Sequence, residues 1–390
     1  MRITSAHQFA DIINSYSYTK HFTEEPAPHI SVTFFLGAGF SKAWDDSYPL
    51  ADKLFNFPSG DVRSSFYDIT GLLFENNINS DITPDMLKEI VYHLSMELKY
   101  SAIRSRYRDE NSIRIALDRI RSSIVKNFLE SVTPDYVYPN SLMIKLPKDY
   151  GGDKGKILRF FRDVAYHEDG SRGYPTGVRI NFITTNYDYI VETILDNISG
   201  STNEPNFLYT YRGITPVNIC GVDNPSLIHD HYHVCTLIKI NGGFEILANN
   251  DGSFSLEYRK RDLSEIYRQP PVIMLPSREQ DYGHNYFNSI FPKAVRLLQE
   301  SKVLVIIGYS FPEDDAMLQF LLRQFAEDYR DAKDKYIFYV DKLNNREQLS
   351  RITKCFPHIR KANKRNVHLY SGDFVDWAES ATEELSQNTA

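Results

Sequence analysis

A glycine turn follows the first strongly apolar run of the sequence and is a candidate phosphate site. The run 30–36 (ISVTFFL) leads directly into Gly37-Ala38-Gly39-Phe40-Ser41, which indicates a buried strand that enters a tight turn and opens a helix. Backbone N–H groups at a helix start point outward, and glycine lets a pyrophosphate approach them closely. Tight glycine turns also arise for purely structural reasons, so the motif alone has low specificity.

Two features of this turn argue against an ordinary dehydrogenase. Lys42 stands where a third glycine would fall, and no second strand that ends in an acidic residue follows at the usual distance. Hydride transfer is therefore only the runner-up chemistry. It would change the nicotinamide absorbance without breaking the glycosidic bond.

Histidines form a second candidate group. His229, His231 and His233 alternate along the chain, and on a strand their rings would share one face, as in a metal site. Asp230 would point to the other face, and a metal site usually has a further carboxylate or histidine ligand. We therefore favour a polar strand edge with hydrogen-bonded or solvated histidines. His284 lies in the separate segment 281–284.

Parallel strands and intervening helices are the elements that would position these residues. Apolar runs like the first one recur downstream and mostly alternate with helix-like stretches. The alternation predicts an α/β fold, a Rossmann-like doubly wound parallel sheet with helices on both faces. The predicted strands are 30–36, 178–184, 237–240, 272–275, 302–307 and 336–340.

The segment 61–140 has helical spacing and many charges, and we interpret it as a helical insertion within a single domain that spans 1–390. A structural cap or a subunit interface is favoured over a catalytic role. One predicted helix has an apolar face that must be buried against the sheet or another subunit. That face consists of Ile113, Leu117, Ile120, Ile124 and Phe128.

The bulk properties exclude several classes of protein. The 390 residues are 42% hydrophobic and 24% charged, which predicts a compact, ordered chain. A formal charge of −7 argues against direct nucleic-acid binding over the whole surface. There is no apolar run of membrane-spanning length and no signal peptide, so we expect a cytoplasmic protein with no membrane association.

The cysteine content argues against a zinc centre. Cys220, Cys235 and Cys355 are the three cysteines, and none of them forms a C-x-x-C pair. A four-thiolate zinc site cannot be built from them. We predict three buried thiols and no metal site.

Four segments, taken in order, resemble bacterial sirtuin-like domains, whose patterns run GAGxS, TTNYD, KLHG and GYS. The ordered set is more specific than any one segment and covers roughly 32–322, apart from the helical insertion. The resemblance implies a Rossmann-like core that binds NAD+. The segments are Gly37-Ala38-Gly39-Phe40-Ser41, Thr184-Thr185-Asn186-Tyr187-Asp188, Leu237-Ile238-Lys239-Ile240-Asn241-Gly242 and Ile307-Gly308-Tyr309-Ser310-Phe311.

The resemblance also implies roles for single residues. The pyrophosphate and the nearby ribose would contact Gly37, Ala38, Gly39 and Ser41, the nicotinamide ribose would contact Asn186, and the adenosine side would be closed by Gly308 and Ser310. Thr185 and Asp188 match the motif too. Asp188 is equally well explained as a helix-start carboxylate that fixes the turn, and we favour that structural interpretation.

The chemistry implied for Asn186 is cleavage of the bond between ribose C1′ and the pyridinium nitrogen. Nicotinamide leaves as a neutral molecule, so its departure needs no general acid. The enzyme must stabilise an oxocarbenium-like centre and deliver water to it. An asparagine amide has donors and an acceptor, and it can hold a ribose hydroxyl and a water without titrating.

The sequence departs from the family pattern at the histidine of KLHG, which serves there as general base. Asn241 occupies that position here, and we place it among the NAD+-binding residues. Loss of a positioned base typically costs about 10²- to 10⁴-fold in rate. A slow enzyme, an enzyme with another base and an inactive binder all remain open. The substitute bases to test first are His231 and His284.

The resemblance further implies a biological setting. Sirtuin deacetylases carry a four-cysteine zinc module that this chain cannot form, so water is the expected acceptor and NAD+ glycohydrolysis the expected reaction. Such domains are typical effectors of bacterial antiphage systems that act by abortive infection. We expect a homo-oligomer that acts with a HerA-type hexameric ATPase, because we find no separate sensor domain after the core. The alternative is a catalytically weak module that binds NAD+ or ADP-ribose and controls assembly.

Overall fold

The computed structural model describes residues 3–15, 30–58, 81–104, 106, 108–134, 150–169, 172–175, 178–198, 218–220, 236–328, 332–359 and 366–387. The first half of the chain contains α1 (Thr4–Ser15), β1 (Ile30–Leu36), α2 (Ala38–Trp44), α3 (Ala51–Leu54), α4 (Pro84–Lys99), α5 (Glu110–Ser131), α6 (Gly152–Ala165), β2 (Tyr166–Asp169), β3 (Arg172–Pro175), β4 (Val178–Thr184) and α7 (Ile190–Ile198). The second half contains β5 (Asn218–Cys220), β6 (Thr236–Lys239), β7 (Ile246–Ala248), β8 (Phe254–Glu257), α8 (Leu263–Arg268), α9 (Asn285–Glu300), β9 (Val303–Ile307), α10 (Ala316–Arg323), β10 (Tyr336–Asp341), α11 (Asn345–Cys355), β11 (Val367–Ser371) and α12 (Phe374–Gln387).

Six strands form one parallel sheet in the order β6–β4–β1–β9–β10–β11. After β1, the chain adds β4 and then β6 on one side of β1. It then crosses to the other side of β1 and adds β9, β10 and β11, so the strand order reverses between β1 and β9. Ligands in doubly wound folds bind at the carboxyl ends of the strands beside such a reversal. The predicted Rossmann-like doubly wound sheet is confirmed.

Five of the six predicted apolar runs are strands of this sheet, but the run 272–275 is not. It is a buried segment with a single antiparallel bridge between Ile273 and Gly242. Its hydrogen bonds go to β7 and to the loop after β6: the Val272 N–H donates to the Ile246 carbonyl over 2.8 Å, and the Met274 N–H donates to the Asn241 carbonyl over 2.7 Å. Pro271 and Pro276 flank the run, and proline cannot donate to a sheet ladder. The apolar composition therefore reflects burial and not membership of the sheet.

Helices cover the sheet, and an aromatic layer fills the space beneath α1, α6 and α12. The core strands are almost fully buried, as expected for a parallel sheet covered on both faces. The aromatic layer is defined by Phe9, Phe34, Phe160, Phe338 and Trp377, which are all fully buried and in mutual ring contact.

Two long helices, α4 and α5, occupy the described part of the predicted insertion. Asp109 caps α5 by accepting a hydrogen bond from the Ser112 N–H over 2.6 Å, and Thr83 caps α4. The apolar face of α5, from Ile113 to Phe128, is buried within this chain. Since the face is already covered, it supplies no free surface for a subunit contact. The boundaries 61 and 140 stay a prediction.

Within the described ranges we find no helix with the length and apolar character that a membrane crossing requires.

Candidate functional site

A cavity of about 380 Å³ lies at the carboxyl edge of the sheet, beside the reversal between β1 and β9. Its walls come from the loops after β1, β4, β6 and β9, and from the insertion helices α4 and α5. We call it the edge cavity. Six of the residues predicted from the sequence line it, namely Ala38, Ser41, Thr185, Asn186, Asp188 and Asn241.

The glycine turn packs against the turn after β9. The Gly39 N–H donates to the Gly308 carbonyl over 2.9 Å, and the Gly37 N–H donates to the Ile307 carbonyl over 3.0 Å. A Cβ atom on Gly39 would lie 2.7 Å from the Gly308 Cα, and one on Gly37 would lie 2.5 Å from the Gly308 oxygen. The close approach of two backbone turns therefore requires these glycines. Their contact with a pyrophosphate stays a prediction.

The turn after β9 has an unusual backbone. Gly308 has φ of +60°, and the buried Phe311 has φ of +52°, in the left-handed region that large side chains rarely adopt. Phe311 is held there by contacts with the Tyr309 and Tyr339 rings. Ser310 is exposed on this turn, outside the edge cavity. Its predicted role on the adenosine side is not tested by this placement.

A chain of hydrogen bonds joins the turn after β1 to the loop after β4. Asn186 Nδ2 donates to the Gly37 carbonyl and to Ser41 Oγ, both over 2.9 Å. Ser41 Oγ in turn donates to Asp188 Oδ2 over 2.5 Å. Side chains from two separate sequence motifs, Ser41 from one and Asn186 and Asp188 from the other, thus form one polar cluster.

These bonds change the expected role of the Asn186 amide. Both of its N–H groups are bonded to protein, so neither is available to a ribose hydroxyl or a water. Its Oδ1 has only a long contact of 3.5 Å with the Thr185 hydroxyl. Oδ1 is therefore the atom that can accept a hydrogen bond from a ligand in the edge cavity.

Asp188 is buried and acts at a helix start, as its structural interpretation predicted. Its Oδ1 accepts a hydrogen bond from the Ile190 N–H, the first residue of α7, over 3.1 Å. Burial raises the pKa of the Asp188 carboxyl to about 6, although the Ser41 hydroxyl and the Lys239 charge oppose the shift. The same carboxyl therefore fixes the turn and orients the Ser41 hydroxyl.

A buried ion-pair cluster lies beneath Asp188, and the sequence analysis missed it. Lys239 Nζ lies 2.7 Å from Glu192 Oε1 and 2.8 Å from Glu245 Oε2, and all three side chains are almost completely buried. Lys239 also donates to the Asp188 carbonyl. Breaking a buried pair is strongly destabilising because it leaves an uncompensated charge. A lysine inside an otherwise apolar strand was the available sequence signal.

Carboxyl groups dominate the outer wall of the edge cavity. Asp315 accepts hydrogen bonds from the Tyr309 hydroxyl over 2.9 Å and from Gln280 Nε2 over 2.8 Å. Burial raises the pKa of the Asp315 carboxyl above its ordinary value. The neighbouring Asp314 pairs with Lys88 of α4 at 2.5 Å. The acidic run after the GYS motif was the available sequence signal, because it follows a strand that ends at the same edge.

Asn241 lies in the loop after β6, and its buried Oδ1 has no hydrogen-bond partner among the described residues. The edge cavity therefore has a neutral side chain at the position where the family resemblance placed a base. No histidine lies among the described residues that line this cavity.

One of the two proposed substitute bases, His284, lies outside the edge cavity. His284 is the N-cap of α9, where its Nδ1 accepts a hydrogen bond from the Tyr286 N–H over 3.2 Å. Burial lowers the pKa of this imidazole. His231, like His229 and His233, falls outside the described residues.

Metal ligands are not grouped in the part of the chain that the structure describes: no three histidine, cysteine, aspartate or glutamate side chains there could hold an ion together. Cys355 is a buried free thiol, as predicted, and burial raises its pKa to about 12. Cys235 and the Cys220 side chain lie outside the description. The predicted absence of zinc stays a prediction.

Comparison with known proteins matches part of the chain to one family. Residues 180–356 match a family model described as a SIR2-like domain. The matched segment contains Asn186, Asp188 and Asn241, but it begins after the glycine turn. A search of curated proteins finds no match.

Similar solved structures are Sir2 complexes. One holds a p53 peptide and NAD+, with a TM-score of 0.39 and 12% identity over 97% of both chains. Another is a Sir2 variant with a deacetylated p53 peptide and 3′-O-acetyl ADP-ribose, with a TM-score of 0.40 and 11% identity over 98% of both chains. A third is a Sir2 homologue variant with ADP-ribose, with a TM-score of 0.34 and 10% identity over 92% of both chains.

Proposed function

We propose that the chain is an NAD+ glycohydrolase that cleaves NAD+ to nicotinamide and ADP-ribose in the edge cavity. The observation that carries this proposal is the Asn186 cluster. Its amide is fixed by Gly37 and Ser41 so that one acceptor, Oδ1, remains for a ligand at the strand-order reversal. The SIR2-like match over the segment that contains Asn186 supports the same chemistry.

The charges of the edge cavity suit a cationic substrate group. Its described ionisable lining includes the carboxyls of Asp52, Asp188, Asp314 and Asp315 against one lysine, Lys88. Negative charge near the nicotinamide end would favour the pyridinium ring and the oxocarbenium-like centre that follows its departure. The anionic pyrophosphate would then lie near the glycine turn.

Product analysis tests the proposal. Purified protein is incubated with NAD+, and nicotinamide, ADP-ribose and absorbance at the reduced-nicotinamide band are followed together. Glycohydrolysis predicts equal amounts of nicotinamide and ADP-ribose and no reduced band. A reduced band with an intact glycosidic bond would support hydride transfer instead.

A binding module without catalysis is the second candidate, and the neutral Asn241 favours it. In that case the edge cavity would hold NAD+ or ADP-ribose and control assembly through the ligand. Calorimetry would then show binding, while nicotinamide release would stay at the level of the buffer.

We further propose that the chain is a cytoplasmic effector of an antiphage system that acts by abortive infection, as a homo-oligomer with a HerA-type hexameric ATPase. The resemblance of the four motifs supports this setting. The buried face of α5 does not contribute, but Tyr100, Ile103 and Ile115 are exposed large hydrophobic residues on the described part of the insertion. Light scattering with and without the ATPase tests the assembly: a strict monomer at micromolar concentration in both samples would rule it out.

A further inference from the structure

Two buried polar atoms of residues that line the edge cavity have no hydrogen-bond partner in the described parts of the chain and are not part of the Asn186 cluster. They are Asn241 Oδ1 and Ser277 Oγ, in side chains that are 9% and 3% exposed. A buried polar atom without a partner is costly, and in native proteins it calls for an explanation. Both atoms line the same cavity, so a ligand group there can satisfy them.

Backbone hydrogen bonds tie the loop that carries Asn241 to the segment 272–274, which leads into Ser277. The Asn241 carbonyl accepts from the Met274 N–H over 2.7 Å, and the Gly243 N–H donates to the Val272 carbonyl over 3.0 Å. The Tyr187 hydroxyl donates to the Met274 carbonyl over 2.6 Å, which ties the loop after β4 to the same segment. The backbone at Asn241 is therefore held in place, as a preorganised site requires, and Ser277 follows three residues after Met274 in the segment bonded to it.

The strand order places Asn241 beyond the Asn186 cluster. Going outward from the reversal, the glycine turn follows β1, Asn186 follows β4 and Asn241 follows β6. Adjacent strands lie roughly 4.8 Å apart. A dinucleotide with its phosphates at the glycine turn and its reactive ribose at Asn186 would thus have Asn241 about one strand spacing beyond its C1′ atom, and Ser277 lines the same cavity.

We propose that Asn241 and Ser277 form the nucleophile site, which binds a small neutral hydroxylic acceptor, either water or an alcohol. This inference rests on the proposed glycohydrolase function. Asn241 Oδ1 accepts a hydrogen bond from the O–H of the nucleophile. The Ser277 hydroxyl can donate a hydrogen bond to the nucleophile oxygen or accept one from its O–H. Phe244, Leu275 and Pro276 line the same cavity and offer only apolar side chains, so they provide no competing side-chain partner.

The step balances without a general base. The bond between C1′ and nitrogen breaks, and its electron pair stays on the nitrogen of neutral nicotinamide. A lone pair of the nucleophile oxygen forms the new bond to C1′, and the proton of that oxygen is released to solvent. Asn241 and Ser277 orient the nucleophile and do not keep its proton.

A partition experiment in aqueous methanol tests the site. The enzyme is incubated with NAD+, and ADP-ribose and its methyl glycoside are separated and quantified. Ser277→Ala removes the hydroxyl and leaves space for a methyl group. We expect the ratio of methyl glycoside to ADP-ribose to rise by about threefold or more, with the KM for NAD+ changed by less than about twofold.

Two further variants complete the experiment. Asn241→Leu, which replaces the acceptor by an apolar group of similar size, should lower nicotinamide release by about tenfold. Ser289→Ala is the matched control, because Ser289 is exposed on α9 and bonds only its own helix, through the Asn285 carbonyl. It should leave both the rate and the ratio unchanged.

The outcomes separate the two proposals. An unchanged product ratio in Ser277→Ala, with normal nicotinamide release, would overturn the nucleophile site alone. A raised KM for NAD+ with an unchanged ratio would do the same, because the two atoms would then bind NAD+ itself. No nicotinamide release by the wild-type chain would overturn the glycohydrolase and the nucleophile site together.

Discussion

The aromatic layer and the edge cavity lie on different parts of the same sheet and are built from opposite kinds of residues. The aromatic layer consists of fully buried rings, and its one indole N–H, on Trp377, donates to Ser5 Oγ over 3.1 Å. The edge cavity has carboxyls with raised pKa values and unpartnered polar atoms. Such features reduce stability, and their occurrence together around one cavity favours ligand binding at this edge.

The aromatic layer should control stability and leave the chemistry unchanged. Trp377→Ala deletes a fully buried indole between the Phe9, Phe160 and Phe374 rings, and we expect a loss of about 3–5 kcal/mol in the free energy of unfolding. Denaturant titration measures the loss. Trp377→Phe should lose less, and the folded fraction of either variant should cleave NAD+ at the wild-type rate. A changed KM in the folded fraction would contradict the separation of the two regions.

A substitution in the glycine turn should lower both the stability of the fold and the binding of NAD+. Gly39→Val places a β-branched side chain 2.7 Å from the Gly308 Cα, so the turns after β1 and β9 must separate. We expect a loss of stability of about 1–3 kcal/mol or more and the loss of NAD+ binding. Calorimetry and denaturant titration test both effects. The expected physical cause is backbone crowding inside the protein, and not direct obstruction of a pyrophosphate. Unchanged stability with lost binding would restore the direct-contact explanation.

Asp188 should give stability and activity opposite dependences on pH. Burial raises the pKa of its carboxyl from 3.8 to about 6. A carboxyl with a raised folded-state pKa stabilises the fold fully below the unfolded value and loses that contribution as the pH rises through the folded value. Between about pH 4 and about pH 7, the free energy of unfolding of wild type should therefore fall relative to that of Asp188→Asn. Nicotinamide release should rise over this range, because ionised Asp188 orients the Ser41 hydroxyl.

Asp341 supplies the matched control. It ends β10, its Oδ1 accepts from the Leu343 N–H two residues on, and burial raises the pKa of its carboxyl too. Asp188 has the same backbone contact with Ile190, but it lies in the edge cavity, and Asp341 does not. Asp341→Asn should change the pH dependence of stability and leave that of the rate unchanged. A pH–rate profile that changes equally in Asp188→Asn and Asp341→Asn would contradict the assignment of Asp188 as the carboxyl that orients the Ser41 hydroxyl.

The smallest effect is expected at His284. His284→Gln removes an N-cap from α9, which should cost about 1 kcal/mol of stability. The rate of NAD+ cleavage should change by less than about twofold, since the imidazole lies outside the edge cavity. Steady-state kinetics measures this, and a hundredfold loss would instead identify His284 as the missing base.

The sequence predicted the sheet and the Asn186 cluster for identifiable reasons. Buried parallel strands are continuous apolar runs, and glycines and asparagines mark the loops that follow them. Strand β11 (Val367–Ser371) was missed because its residues are only partly buried and alternate in polarity. The run 272–275 was wrongly assigned because burial alone produces the same composition as a sheet strand.

The missed site residues depend on contacts between distant parts of the chain. Ser277 reaches the edge cavity from the segment that follows β8 and α8, and its sequence context shows no motif. Asp315 reaches the cavity from the segment after β9, where the acidic run 313–315 was the only signal. The pairing of Lys239 with Glu192 and Glu245 likewise requires a strand, a helix and a loop to meet, namely β6, α7 and the loop before β7. Sequence spacing does not determine such contacts, whereas the strand order does.

The central claim is that Asn186 directs NAD+ cleavage in the edge cavity, and one pair of variants tests it. Asn186→Ala removes two hydrogen bonds, to the Gly37 carbonyl and to Ser41 Oγ, as well as the acceptor that faces the ligand. Asn366→Ala is the matched control, because Asn366 Nδ2 also makes two bonds, to the Lys333 and Lys335 carbonyls, at the start of β11.

Nicotinamide release from NAD+ is measured for wild type and both variants, with unfolding free energies alongside. Each variant should lose stability by about 1–3 kcal/mol because it removes comparable hydrogen bonds. The account predicts that folded Asn186→Ala loses at least about 100-fold in rate while folded Asn366→Ala keeps the wild-type rate. Wild-type turnover by folded Asn186→Ala would contradict it.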